Sequence, residues 1–220
     1  MSQAGTARRS WSETLKVWSH PKAVAMLFLG FSAGIPILLI FSTLSVWLRE
    51  AGVERSAVTF FSWAALGYSF KFLWAPLIDL LPLPYLTQKM GRRRSWLLIT
   101  QVLVILAIAG MAGIDPAGRQ GNLTMMALAS ILLGFSSASQ DVVIDAYRIE
   151  CADPSLQALL SSMYIAGYRL GMLAAGAGSL FLADIFGLVG AYSYPAWRST
   201  YAIMALLMVS GVLTTLCISE

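Results

Sequence analysis

Gln140-Asp-Val-Val-Ile-Asp-Ala-Tyr-Arg148 closes a run that is otherwise apolar from Leu123 onward. Asp141 and Asp145 are four residues apart and Arg148 lies three beyond Asp145, so at helical spacing the three charges share one side of a helix. That side cannot face lipid, because a charge at mid-bilayer costs about 2.5–3.5 kcal/mol, and less nearer the interface. Charged residues in such a place face a bundle interior or a wet cavity, and their default reading is functional.

Composition agrees with that reading. The chain is 58% hydrophobic and only 12% charged, against about 25% charged in soluble domains, which makes it a polytopic membrane protein. The formal charge of +4 comes from basic residues beside apolar runs, a topology signal and not a nucleic-acid surface. Cys151 and Cys217 are far apart, one in a polar connection and one in an apolar run, so no disulfide framework is expected. No cleavable signal peptide is expected either, since the first apolar run is longer than a signal core and has no small-residue cleavage site.

Six apolar runs of spanning length lie near 23–48, 56–79, 95–114, 122–147, 156–184 and 199–219. The expectation is an all-α membrane protein, with a tail over 1–21 and a six-helix bundle over 22–220. In the tail, Ser10-Trp-Ser-Glu13 fits a capping box, with Trp11, Leu15 and Trp18 at helical spacing beside Arg8, Arg9 and Lys16, which predicts an interfacial helix ending at Pro21. Lys89 and Arg92, Arg93 and Arg94 join the second and third runs, so the positive-inside rule puts both termini in the cytoplasm. Gly30-Phe-Ser32 recurs as Gly134-Phe-Ser136, each in the first helix of a group of three, an echo consistent with a 3+3 inverted repeat.

Within the spans, Gly30-Phe-Ser-Ala-Gly34 matches the G-x-S-x-G pattern of a nucleophile elbow. That motif belongs on a strand-to-helix turn, and the only histidine, His20, is about 18 Å back along the helix axis, so serine catalysis is rejected. Gly30 and Gly34 instead permit close helix packing and Pro36 a bend. Lys71 is deep in the second run, where it serves a cavity or a charge pair. Asp79 and the Arg92–Arg94 cluster sit at the two ends of one connection, where opposite charges can latch helices together, although the arginines can equally serve topology alone. Arg169 is mid-span, with Tyr164 and Tyr168 nearby, and fits either a salt bridge to the fourth helix or a ligand contact. The third and sixth runs hold no charge between Trp96 and Asp115 or between Thr200 and Ser219, which makes them the expected lipid-facing pair. Asn122-Leu-Thr124 abuts the membrane and is read as a chance glycosylation match.

With these residues in place, the chain resembles the major facilitator superfamily and, within it, the AmpG-type muropeptide permeases. The likeness rests on Gly30-Phe-Ser-Ala-Gly-Ile-Pro36, Trp47-Leu-Arg-Glu-Ala-Gly52, Lys71-Phe-Leu-Trp-Ala-Pro-Leu-Ile-Asp79, Gly91-Arg-Arg-Arg94, Ser139-Gln-Asp-Val-Val-Ile-Asp-Ala-Tyr-Arg148 and Gly167-Tyr-Arg-Leu-Gly171. The resemblance implies proton-driven import of anhydro-muropeptides from periplasm to cytoplasm across the bacterial inner membrane. It also implies a second, carboxy-terminal bundle beyond Glu220. Where the superfamily motif has a basic residue after the aspartate, this chain has Leu80, followed by a long connection to Gly91.

The expected substrate is an anionic amino-sugar peptide. Lys71, Gln140, Tyr164, Tyr168 and Arg169 are the candidate substrate contacts, Asp141 and Asp145 the candidate proton carriers, and Gly30, Gly34, Pro36, Asp79, Arg92, Arg93, Arg94 and Arg148 the gating or structural residues. No catalytic residue, cofactor or metal is expected. The competing readings are a superfamily carrier of another solute, such as a sugar or an acyl-coenzyme A, and a half-transporter inactive alone.

Overall fold

The computed structural model describes residues 18–55, 61–119, 121–187 and 191–219, and among them the regular elements are helices. Five are long and apolar enough to cross a membrane: α1 Pro21–Glu50, α3 Arg92–Ala112, α4 Asn122–Glu150, α5 Pro154–Phe186 and α6 Tyr194–Cys217. Most of the expected interfacial helix, Ser10 to Leu15 included, lies outside the described residues.

The second expected span, α2, is not continuous. It is built from Phe61–Ala64, Ala65–Ser69 and Lys71–Leu80. The break is at Phe70, whose backbone leaves the helical region at φ −101°, ψ 8°. Apolar periodicity does not report a dihedral change, so the run reads as one helix in sequence. The other spans begin earlier or end later than expected, because arginines and prolines at the interface belong to the terminal helical turns. Pro21 and Pro154 occupy first-turn positions, where a missing N–H costs nothing. Gly91 (φ 86°) supplies the left-handed turn into α3.

Two helices contain a wider π turn. In α1 it spans Leu39–Thr43, just after Pro36, which has no N–H to give the preceding turn. In α5 it spans Ala174–Gly178. The two turns touch, and Thr43 donates its hydroxyl to the Ala175 carbonyl at 2.7 Å. Tyr201 of α6 donates to the Leu39 carbonyl at 3.0 Å, which also accepts from Leu44 N.

Packing follows a crossed scheme. The first helix of each group of three lies along the middle helix of the other, α1 on α5 and α4 on α2, while α3 and α6 pack on each other. The α1–α5 contact is backbone to backbone: a Cβ on Gly34 would overlap the Tyr168 carbonyl, and one on Gly167 the Leu27 carbonyl. Gly67 of α2 meets Gly134 of α4 in the same way, with the Gly134 carbonyl carbon 2.9 Å from the place of its missing Cβ.

Burial within the bundle is distributed unevenly over the spans. Half of the most apolar stretch of α3 is buried, against 17% for α5. Both α3 and α6 keep an outer apolar row, as at Leu106 and Leu213, but each also closes the back of the bundle. The open side is formed by α2 and α5, where Phe72, Leu73, Ile165 and Leu173 stand exposed.

Two apolar clusters make the core. One, toward the end that carries Trp47, stacks that ring on Trp197 (centroids 5.7 Å, 6° between planes). The other, toward the arginine end, packs Leu29, Leu97 and Val143. On α1, α3 and α4 the residues between the clusters are polar: Ser32, Gln101 and Gln140, all fully buried.

Candidate functional site

The polar side chains of α4 organise the open side of the bundle. Ser137, Ser139 and Asp141 lie on its buried stretch, and each is met by an aromatic residue from another helix. Tyr68 of α2 donates to Ser137 Oγ at 3.0 Å, and Trp74 Nε1 of α2 donates to Ser139 Oγ at 3.0 Å. Tyr164 of α5 donates to Asp141 Oδ1 at 3.4 Å. The Trp74 ring also packs on Phe135 at 4.6 Å, and Tyr164 lies 5.9 Å from Tyr168.

Asp141 is 9% exposed. The half-buried ammonium of Lys71, at the first position after the α2 break, acts on it electrostatically, as does Asp145. The break therefore delivers a cation from α2 toward an acid on α4, and α5 supplies the hydroxyl. Discontinuous spans recur at transporter binding sites for this reason: a helix end can aim polar groups where a continuous helix cannot.

Not every predicted residue joins this cluster. Gln140 is fully buried on the inner side, where Nε2 donates to Ser32 Oγ at 3.2 Å. It is thus placed in the core, apart from the cluster on the open side. Arg169 is exposed beside Tyr168 and, among the described residues, has no ion-pair partner on α4. Asp145 is paired locally: Arg148 Nη2 is 3.3 Å away, while Arg148 Nη1 donates to Ser161 Oγ of α5 at 2.6 Å.

At the arginine end the three consecutive arginines do different things. Arg93 bridges Asp79 of α2 (Nη1–Oδ1 2.5 Å) and Glu150 of α4 (Nη2–Oε1 2.6 Å, Nε–Oε2 3.0 Å). The pair to Asp79 forms although Leu80 follows the aspartate, because the connection folds back through the short helix Leu86–Met90 and Tyr85, at φ 64°. Arg94 caps α6, donating to the carbonyls of Thr215 at 3.1 Å and Leu216 at 2.8 Å. Arg92 adds charge near Glu150.

Sequence reading passed over Tyr68, Trp74, Ser137, Ser139 and Glu150. Trp74 is three residues from Lys71 on the same helical face, Tyr68 is three residues before Lys71 on the far side of the break, and Ser136-Ser-Ala-Ser139 is a polar run inside an apolar span. Those were the available signals. Together the groups offer aromatic faces, hydroxyls, one buried carboxylate and one cation. This set suits reversible recognition of a polyhydroxylated, partly charged molecule. Among the described residues no cluster of His, Cys, Asp or Glu could hold a metal ion.

Comparison with known proteins bears on the whole arrangement. Residues 26–219 match the Major Facilitator Superfamily. The chain is 35% identical over 205 residues to the "Putative transporter AmpG 4" of Rickettsia felis, a match covering 93% of this chain and 47% of the relative. It is 36% identical over 209 residues to the "Anhydromuropeptide permease" of Escherichia coli strain K12, covering 95% of this chain and 40% of the relative. The chain thus spans about half the length of the curated relatives it matches. Apolar spans and sequence likeness agree: this chain is a multi-pass membrane protein, and it belongs to the major facilitator superfamily.

Proposed function

We propose that this chain forms one half of a permease that carries anhydro-muropeptides, anionic amino-sugar peptides, from periplasm to cytoplasm across the bacterial inner membrane in symport with protons. The observation that carries the reading is the buried Asp141 of α4, which accepts from the Tyr164 hydroxyl of α5 at 3.4 Å and lies within electrostatic reach of Lys71 on α2, beside the open side of the bundle. Superfamily transporters bind substrate near mid-membrane between two such halves and move by rocking one against the other. Here Tyr164, Tyr168 and Trp74 offer faces for a sugar ring, while Lys71 and Arg169 attract peptide carboxylates. Asp141 is the proton carrier of choice, because two opposed influences set its proton affinity, burial and the Lys71 ammonium, and arriving substrate alters the second. Asp145 is committed to Arg148.

The arginine end is cytoplasmic in this reading, by the positive-inside rule. Asp79, Arg93 and Glu150 form the latch that holds that end closed, with Arg92 and Arg94 beside it, and Arg148 braces α4 on α5. Gly30, Gly34 and Pro36 set how closely α1 and α5 approach and where α1 bends.

The half-length match to relatives favours a second reading in which this bundle transports nothing until joined to a partner bundle. Uptake of labelled anhydro-muropeptide by cells lacking their own permease tests both, with the chain alone and with a carboxy-terminal half. Uptake only in the joined form, sensitive to a protonophore and abolished by Asp141→Asn, is expected. No uptake in either form sinks the substrate assignment. Undiminished, protonophore-sensitive accumulation by Asp141→Asn removes that residue from coupling.

A further inference from the structure

The seam between α1 and α6, on the back of the bundle away from Asp141, contains two adjoining hollows of about 740 and 470 Å³. They meet at Phe28, Ser210 and Leu213, which line both. Their chemistry is graded along the seam. At the arginine end the mouth holds His20, Lys22 and Ser219, and from Phe28 inward, through Phe31 to Leu206, the lining is apolar but for Ser210, whose hydroxyl is turned back onto the Leu207 carbonyl at 2.7 Å.

The mouth is built to donate hydrogen bonds to an anion. His20 Nδ1 accepts from the Lys22 backbone N–H at 3.3 Å, so the neutral ring carries its proton on Nε2. Lys22 Nζ gives one N–H to the Cys151 carbonyl and keeps two. The length of the seam also has a meaning. From Lys22 to Phe31 is nine residues, about 13 Å of helix, close to the hydrocarbon depth of one leaflet, about 15 Å.

We infer that the α1–α6 seam is a binding site for one anionic phospholipid of the leaflet at the arginine end, with its phosphate at Lys22 and His20 and an acyl chain along Phe28 and Leu213. An extended protein segment would leave its backbone groups without partners in so apolar a groove, and a helix would bring no anion to the cations at its mouth. A zwitterionic lipid would fit the groove and offer a phosphate, but its headgroup cation offsets that charge and weakens its attraction to the cationic mouth.

Native mass spectrometry of the detergent-purified chain, delipidated and then offered phosphatidylglycerol or phosphatidylcholine, tests this. One phosphatidylglycerol is expected to be retained per chain, at about fivefold preference, the effect of one lysine at an anionic surface. Lys22→Ala should erase the preference and leave both lipids bound equally. Leu213→Trp, at a 57% exposed position, should reduce both to background, while Ile185→Trp on α5 should change neither. If Leu213→Trp fails to reach native helicity by circular dichroism, Val24→Trp on the same groove replaces it. The inference falls if no lipid is retained above background, if the headgroup makes no difference, or if filling the groove leaves retention intact. It also falls if the intact chain shows dimers that Leu213→Trp abolishes, since a second copy would then cover the seam.

Discussion

Arg93 and Glu150 are joined as a two-pronged pair, guanidinium edge to carboxylate, across the start of α3 and the end of α4. The Arg93 side chain is 6% exposed, whereas its two acidic partners are about half exposed, at 45% for Asp79 and 49% for Glu150. One shielded cation therefore ties together three helix ends. Outside that core the acids can return to water when the cation is lost, so no charge is stranded. Arg93→Gln is expected to cost about 1–2 kcal/mol, read as a lower unfolding midpoint in detergent. Arg93→Lys should recover only part, because an ammonium cannot make the forked contact. An unchanged midpoint in Arg93→Gln would mean the bridge holds nothing.

The α1–α5 contact predicts a contrast between two glycines. Gly34→Ala would drive a methyl group into the Tyr168 carbonyl, and backbone cannot move aside as a side chain can. A loss of about 1–3 kcal/mol is expected. Gly110 of α3 has nothing within 4 Å of its missing Cβ, so Gly110→Ala should be neutral or stabilise by up to about 1 kcal/mol. Thermal melts of the two variants side by side decide it, and equal midpoints would refute the close approach.

For topology, Glu54 and Gln88 are both exposed and lie in connections at opposite ends of the bundle. In a background with Cys151 and Cys217 changed to serine, Glu54→Cys should react with a membrane-impermeant maleimide from the periplasm. Gln88→Cys should react only after the cells are opened. The opposite pattern would invert the orientation proposed above.

Cys151 lies in the connection between α4 and α5, half-buried, and burial pushes its thiol up from the ordinary value, while Lys22 and Arg148 pull the other way. At a given pH less of it is thiolate, so alkylation by N-ethylmaleimide should be slower than for a free cysteine and should keep rising with pH beyond the usual thiol range. Lys22→Ala removes an opposing cation and should slow it further. The measurement is modification against time at several pH values in a Cys217→Ser background.

How far the sequence reaches can be seen at neighbouring residues of α4. The pairing of Asp145 with Arg148 is legible, because three-residue spacing in a helix fixes the contact whatever surrounds it. The opposite fates of Gln140 and Asp141 are not. Adjacent helical residues point about 100° apart, and an almost uniformly apolar segment has no polar face to say which direction is inward. Only the neighbours α1 and α5 decide that Gln140 meets Ser32 while Asp141 meets Tyr164. The crossed packing was foreshadowed by the repeated Gly-Phe-Ser, whose two glycines meet α5 and α2. The break at Phe70 left no trace in hydropathy, since backbone angles change there while side-chain polarity does not.

The joined π turns of α1 and α5 carry a consequence for descent. A π turn holds one residue more than an α turn needs, so deleting a single residue from Leu39–Thr43 would restore a plain helix and strand the Tyr201 hydroxyl that now reaches Leu39. The same deletion would withdraw Thr43 from the Ala175 carbonyl in the matching turn of α5. Each irregularity thus makes the other tolerable. Lineages that lose the extra residue in one helix should lose it in the other, as a pair of one-residue gaps more than 130 positions apart in the chain, a distance the Thr43–Ala175 bond already spans.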